Sequence, residues 1–152
     1  MTFQMYNLDR EAQEIVLKYR DKDVLNESHK MRMTVAYGLE RFWGEHLRLL
    51  RNGETDKGNY WKATWNALVK IMGKAKIKVP TKDININDEE NSTKQIEEVA
   101  RWLWGCDEKR PFSTENAKVT LAVLTQLCDS LVWWAQRYKK VIERNELTTR
   151  DE

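Results

Sequence analysis

The sequence predicts an all-α fold: a single-domain bundle of five or six helices over residues 1–152. Three observations point there. Glycine and proline are scarce, at 6 and 2 residues, which removes the turn signals of a sandwich or barrel. Apolar residues recur at steps of three and four along most of the chain, the period of a helix with one buried face. The interruptions carry helix stop and start chemistry, at Asn52-Gly53, at Gly105 and at Pro111 with Ser113.

Asn7 is placed to cap a first helix, with Asp9 and Glu11 near its positive end and Leu8, Ala12, Ile15, Val16 and Tyr19 on its apolar face. RDKDVLNESHK then reads as a charged connector over about residues 20–30. A second helix, 31–51, carries Val35, Leu39, Phe42, Trp43, Leu47 and Leu50 on one stripe. Asp56 is placed to cap the third, whose apolar face is Tyr60, Trp61, Trp65, Leu68, Val69 and Met72; Gly73 weakens it and Pro80 ends it. TKDININDEEN is a polar loop, so the mobile segment is expected near 79–91, with DININ as an alternative short strand. Ser92-x-x-Gln95 has the form of a capping box for a fourth helix, with Ile96, Val99, Trp102 and Leu103 running to Gly105. Ser113 or Thr114 caps a long fifth helix reaching about residue 146, with Leu124, Leu127, Cys128, Leu131, Trp134, Tyr138 and Val141 inward.

Composition narrows the function. The 26 Lys and Arg nearly balance 24 Asp and Glu, a net charge of +2, so only local clusters can mark an anionic partner. No apolar run approaches a membrane span and no secretory leader is visible, so no membrane partner is expected. Two cysteines, neither in a CxxC pair nor near a histidine, argue against disulfide or zinc frameworks and for a reducing cytoplasm. GxSxG, P-loop, GxGxxG and HExxH motifs are all absent, and no carboxylate pair stands out, so neither an enzyme nor a cofactor is expected.

One motif points the other way. Arg41-Phe-Trp-Gly-Glu-His46 has the R-x4-H spacing of the HEPN-type ribonucleases, in which an imidazole moves protons and a guanidinium holds the scissile phosphate. Residues five apart on a regular helix lie about 140° apart, so the pair converges only if Gly44 breaks the helix. Otherwise Arg41 and Glu45 form an ordinary i,i+4 ion pair, with His46 bordering the apolar stripe.

Three basic clusters remain. Lys70, Lys74, Lys76 and Lys78 lie in a run without acid from Ala63 to Lys82. Arg41, Arg48 and Arg51 follow the second helix; Arg137, Lys140 and Arg144 form a line on the last, with Lys139 beside it. Such lines suit a phosphate backbone, and cations at helix C-termini also simply complement the macrodipole. Of seven tryptophans, Trp43, Trp65, Trp102 and Trp134 fall on apolar stripes, whereas Trp61, Trp104 and Trp133 fit less well. Trp133 points away from Leu131 and Trp134, toward a second neighbour, another chain or a base.

ARWLWG, a loop with Pro111, and a long helix ending SLVWWAQRYKKVIER together resemble the small α-helical subunit of class 1 CRISPR effector complexes, of type III or type I-D-like kind. Trp102-Leu103 and Trp134 with Arg137-Tyr138 stand where that family has its Trp-Leu pair and its tryptophan followed by basic and aromatic residues; the similarity covers about residues 93–146. The resemblance implies a non-catalytic subunit that stacks in copies along a ribonucleoprotein in antiviral defence. Its partners would be guide RNA, a target or displaced strand, and other effector subunits. On that reading Lys70, Lys74, Lys76, Arg137, Lys140 and Arg144, with Arg48 and Arg51, contact phosphates, and Trp133 serves an interface. The ribonuclease with Arg41 and His46, and a plain helical protein-interaction module, are the alternatives.

Overall fold

The computed structural model describes the backbone of residues 2–140 and the side chains of residues 8–140. Among the described residues there are six α-helices and no strand: α1 (Thr2–Tyr19), α2 (Glu27–Thr34), α3 (Leu39–Arg51), α4 (Thr55–Lys74), α5 (Glu89–Leu103) and α6 (Thr114–Tyr138). The all-α bundle of five or six helices expected from the sequence is present, with six among the described residues.

The extra helix comes from the segment expected as connector plus one helix over 31–51. It folds instead as α2, a 3₁₀ turn at Val35–Tyr37, and α3. The break falls at Gly38, whose φ of 101° lies in a region that side chains avoid. The charged connector also winds into a 3₁₀ turn at Arg20–Lys22 and then enters α2. Within α2, Glu27 is buried at 3% exposure and Ser28 at 0%, both acting as interior hydrogen-bonding groups. Glu27 accepts from the Trp61 indole at 3.1 Å, and Ser28 pairs with the Tyr60 hydroxyl at 2.6 Å. Trp61 is thus a core residue, 2% exposed, in keeping with its place on the apolar face of its helix despite its poorer fit to the stripe.

Helix ends follow local chemistry more closely than the capping-box pattern did. α1 starts ahead of Asn7, at Thr2. Ser92 is not a cap: Asp88 accepts from the Asn91 N–H, and Ser92 sits buried one turn inside α5, donating to the Glu89 carbonyl. Ser113 does cap α6, accepting from the Asn116 N–H at 3.0 Å. α3, α4 and α5 each close with paired hydrogen bonds through a left-handed residue, Gly53, Lys76 and Gly105 respectively. Lys76 does so at φ 64° without being glycine. α6 ends at Tyr138, short of the expected 146; Val141 and the residues beyond lie outside the described residues.

α3 and α4 form an antiparallel hairpin at close approach, since a Cβ on Gly58 would meet Leu50 at 2.8 Å and the His46 carbonyl at 3.1 Å. Asp9 meets Ser130 and Gln13 meets Tyr138, so α1 and α6 run parallel. Glu11 meets Lys70 and Tyr19 meets Asn59, so α4 runs against both. The core they enclose centres on Tyr60, Trp65, Leu68, Leu124, Leu127 and Leu131, each removed from water, at about 1.5–3 kcal/mol per large side chain. The loop from 75 to 88 is pinned in part: Val79 is 1% exposed and the Pro80 carbonyl accepts from the Trp65 indole at 3.2 Å.

Candidate nucleic-acid interface

The opposed directions of α4 and α6 decide how the basic clusters sit. Lys74 lies fifteen residues beyond Asn59 on α4, about 22 Å along the axis. Asn59 marks the end where α1 and α6 finish, so the α4 lysines and the α6 cations occupy opposite ends of the bundle. Arg48 and Arg51 share the α6 end but lie on α3, which packs on α4 while α6 packs on α1.

On α6 the buried face is Leu124, Leu127, Cys128, Leu131 and Ala135. Trp133 follows Leu124 by nine residues, half a turn out of phase, and so faces outward at 48% exposure. Four residues on, the Arg137 guanidinium lies 3.9 Å from the Trp133 ring centre and donates to the Trp133 carbonyl at 3.2 Å. The Trp134 ring meets Trp133 edge to face, centres 4.6 Å apart at 83°, and stacks on Tyr138 at 5.7 Å and 15°. Arg20 completes the row, 6.0 Å from the Tyr138 ring and donating to the Tyr138 carbonyl at 3.0 Å. The result is a continuous ladder of Arg137, Trp133, Trp134, Tyr138 and Arg20 across α6 and the end of α1. Cations at this helix C-terminus also match its partial negative charge.

The other expected contacts divide by what already holds them. Lys70 pairs with Glu11 at 2.7 Å, Arg48 with Glu45, and Lys140 with Asp21. The hydrogen bond that Lys140 donates holds the Asp21 carboxyl below the usual range, and the one that Arg48 donates to Glu45 raises the Arg48 pKa. Arg51 donates to the Ser92 hydroxyl at 3.4 Å and so ties α3 to α5. Lys74, Lys76 and Arg137 have no carboxylate partner among the described residues. Arg144 lies outside the described residues.

Two neighbours of Trp133 were missed in the sequence. Asp129, one turn earlier on α6, was readable from helical phase; Asp9 was not, because it arrives through the parallel packing of α1. Together with Ser130, Trp133 and Trp134 they line a surface depression of about 340 Å³. A larger one, about 460 Å³, lies beside α5, but four carboxylates outnumber its three cations and it offers no positive field.

Arg41 and His46 are not brought together. α3 runs unbroken through Gly44; Arg41 is exposed, 5.8 Å from the Tyr37 ring, and His46 is buried at 4% exposure. Burial holds the imidazole below its ordinary pKa, and its Nδ1 is bonded to the Trp43 carbonyl. Glu45 pairs with Arg48 rather than with Arg41.

No protein-family model, curated protein or solved structure matches the chain.

Proposed function

We propose that the chain is a non-catalytic, nucleic-acid-contacting subunit of a larger assembly, the role implied by its resemblance to the small α-helical subunit of class 1 CRISPR effector complexes. The observation that carries this reading is the Trp133–Arg137 stack, an exposed indole under a guanidinium that no carboxylate neutralises among the described residues. An aromatic platform of this kind takes a base at about 1–3 kcal/mol, whatever its identity, and the adjoining cation takes the phosphate. Lys74 and Lys76 extend the same chemistry at the far end of α4. Lys70, Arg48 and Lys140 contribute less, because a phosphate has to displace Glu11, Glu45 or Asp21. Trp104, 61% exposed, suits contact with a neighbouring subunit or copy.

Titration of the chain with single-stranded and duplex RNA and DNA at two salt concentrations tests the reading. Binding is expected to weaken steeply with salt, and charge reversal at Arg137 or Lys74 to weaken it further and flatten the slope. Reversal of Lys70 should do less. Absence of binding at low salt, or binding indifferent to Arg137 and Lys74, removes the proposal. RNA cleavage abolished by His46→Ala supports the ribonuclease instead.

A further inference from the structure

The depression beside Trp133 carries chemistry that phosphate contacts leave unused. Two of its walls are the indoles of Trp133 and Trp134. Apart from the indole N–H groups, its polar side chains present acceptors: the Ser130 hydroxyl donates to Asp9 Oδ1 at 2.9 Å, and Arg32 Nε donates to Asp129 Oδ1 at 2.6 Å. Each carboxylate therefore keeps its second oxygen without a hydrogen-bond partner among the described residues. Two carboxylates repel a phosphate, and a purely aliphatic group leaves both oxygens unanswered.

Two occupants answer the indoles and the acceptors together: a cationic side chain, or a planar base with an amino group. The structure favours the base. Arg137 already occupies the Trp133 ring as its cation at 3.9 Å, and Arg32 already matches the charge of Asp129 at 2.6 Å. Asp9 has no ion-pair partner among the described residues, but the two carboxylates are balanced by the two guanidiniums of Arg32 and Arg137, so a further cation would leave the site net positive whereas an uncharged base keeps the balance.

We infer that this depression seats one base of a single strand and that Asp9, assisted by Asp129, selects bases bearing an exocyclic amino group. The inference rests on the nucleic-acid reading above. Cytosine and uracil test it most sharply, since both are single-ring pyrimidines. Cytosine presents an N4 amino donor where uracil presents the O4 acceptor, and a carboxylate accepts from the first and opposes the second.

Oligocytidylate and oligouridylate of equal length, titrated against the full chain at low salt and neutral pH, give the measurement. Oligocytidylate is expected to bind about tenfold more tightly. Asp9→Asn replaces one acceptor oxygen by an amide donor, so it should bring the ratio close to one by improving uridylate binding. Asp129→Asn should reduce the preference less, and circular dichroism should show unchanged helix content for both variants. Equal binding of the two oligomers, or an undiminished preference in Asp9→Asn, overturns the base selection while leaving the nucleic-acid reading intact. Failure of both oligomers to bind overturns the base selection, and failure of duplex and mixed-sequence strands as well overturns the nucleic-acid reading. Tryptophan quenching by an arginine-rich peptide but by neither oligomer, lost in Trp133→Ala and kept in Trp104→Ala, assigns the depression to a cationic partner and also overturns the inference.

Discussion

Trp102 and Trp133 carry almost the same contact and sit in opposite circumstances. An arginine guanidinium lies 4.0 Å from the Trp102 ring centre and 3.9 Å from that of Trp133. Trp102 is 4% exposed, and its Arg110 is held by Asp107 at 2.6 Å and Glu98 at 2.8 Å. Lys82 and Arg110 together keep the Glu98 carboxyl below its ordinary range, and Arg110 does the same for Asp107. Trp133 is 48% exposed, and Arg137 gives its hydrogen bonds to a backbone carbonyl and to Gln136. The stack alone therefore does not mark a binding surface. What separates the two is the remaining donors of the guanidinium, which carboxylates consume in one case and leave to neutral groups in the other.

Truncation should separate them most widely. Trp102→Ala is expected to destabilise the fold by about 3–5 kcal/mol in denaturant unfolding, whereas Trp133→Ala should cost about 1 kcal/mol or less and instead weaken oligonucleotide binding. Equal losses of stability would dissolve the distinction. Arg137→Gln should lower the salt slope of nucleic-acid binding by about one; Arg110→Gln should leave the slope alone and lower the thermal midpoint.

His46 gives a further contrast between interior and surface. Because burial disfavours its charged form, the unfolded chain takes up a proton that the folded chain refuses, and stability falls as pH drops through about 6.5. Unfolding measured from pH 7.5 to 5.5 should show this decline, and it should be shallower in His46→Gln. The smallest effect is expected at Lys76, where φ is 64°. Lys76→Gly should gain about 1 kcal/mol by relieving the left-handed backbone, while lowering nucleic-acid affinity through the lost charge.

The bundle was legible because its main stripes are periodic and its stops are chemical. Leu124, Leu127, Cys128 and Leu131 announce the inward side of α6, and Gly53 and Gly105 end helices where they were expected to. α2 was not legible, because its interior is polar: Glu27 and Ser28 are buried against Trp61 and Tyr60, and no hydropathy pattern marks such partners. Ser92 failed as a cap for a related reason, since Asp88 competes for the same role four residues earlier. At the candidate site, the outward phase of Trp133 and Arg137 was written in the helix, but Asp9 and Arg20 reach them only through the parallel contact of α1 with α6. Ion pairing was equally invisible for Lys70, whose partner Glu11 lies on another helix.

The two cysteines add a measuring device. Cys106 is exposed past the end of α5, while Cys128 lies in the core face of α6, where burial pushes its thiol far above the ordinary pKa. A thiol reagent should therefore modify Cys106 in the native state and reach Cys128 only when α6 leaves the core. The ratio of the two labelling rates then reports the population of the opened bundle in water, without denaturant and without an engineered site.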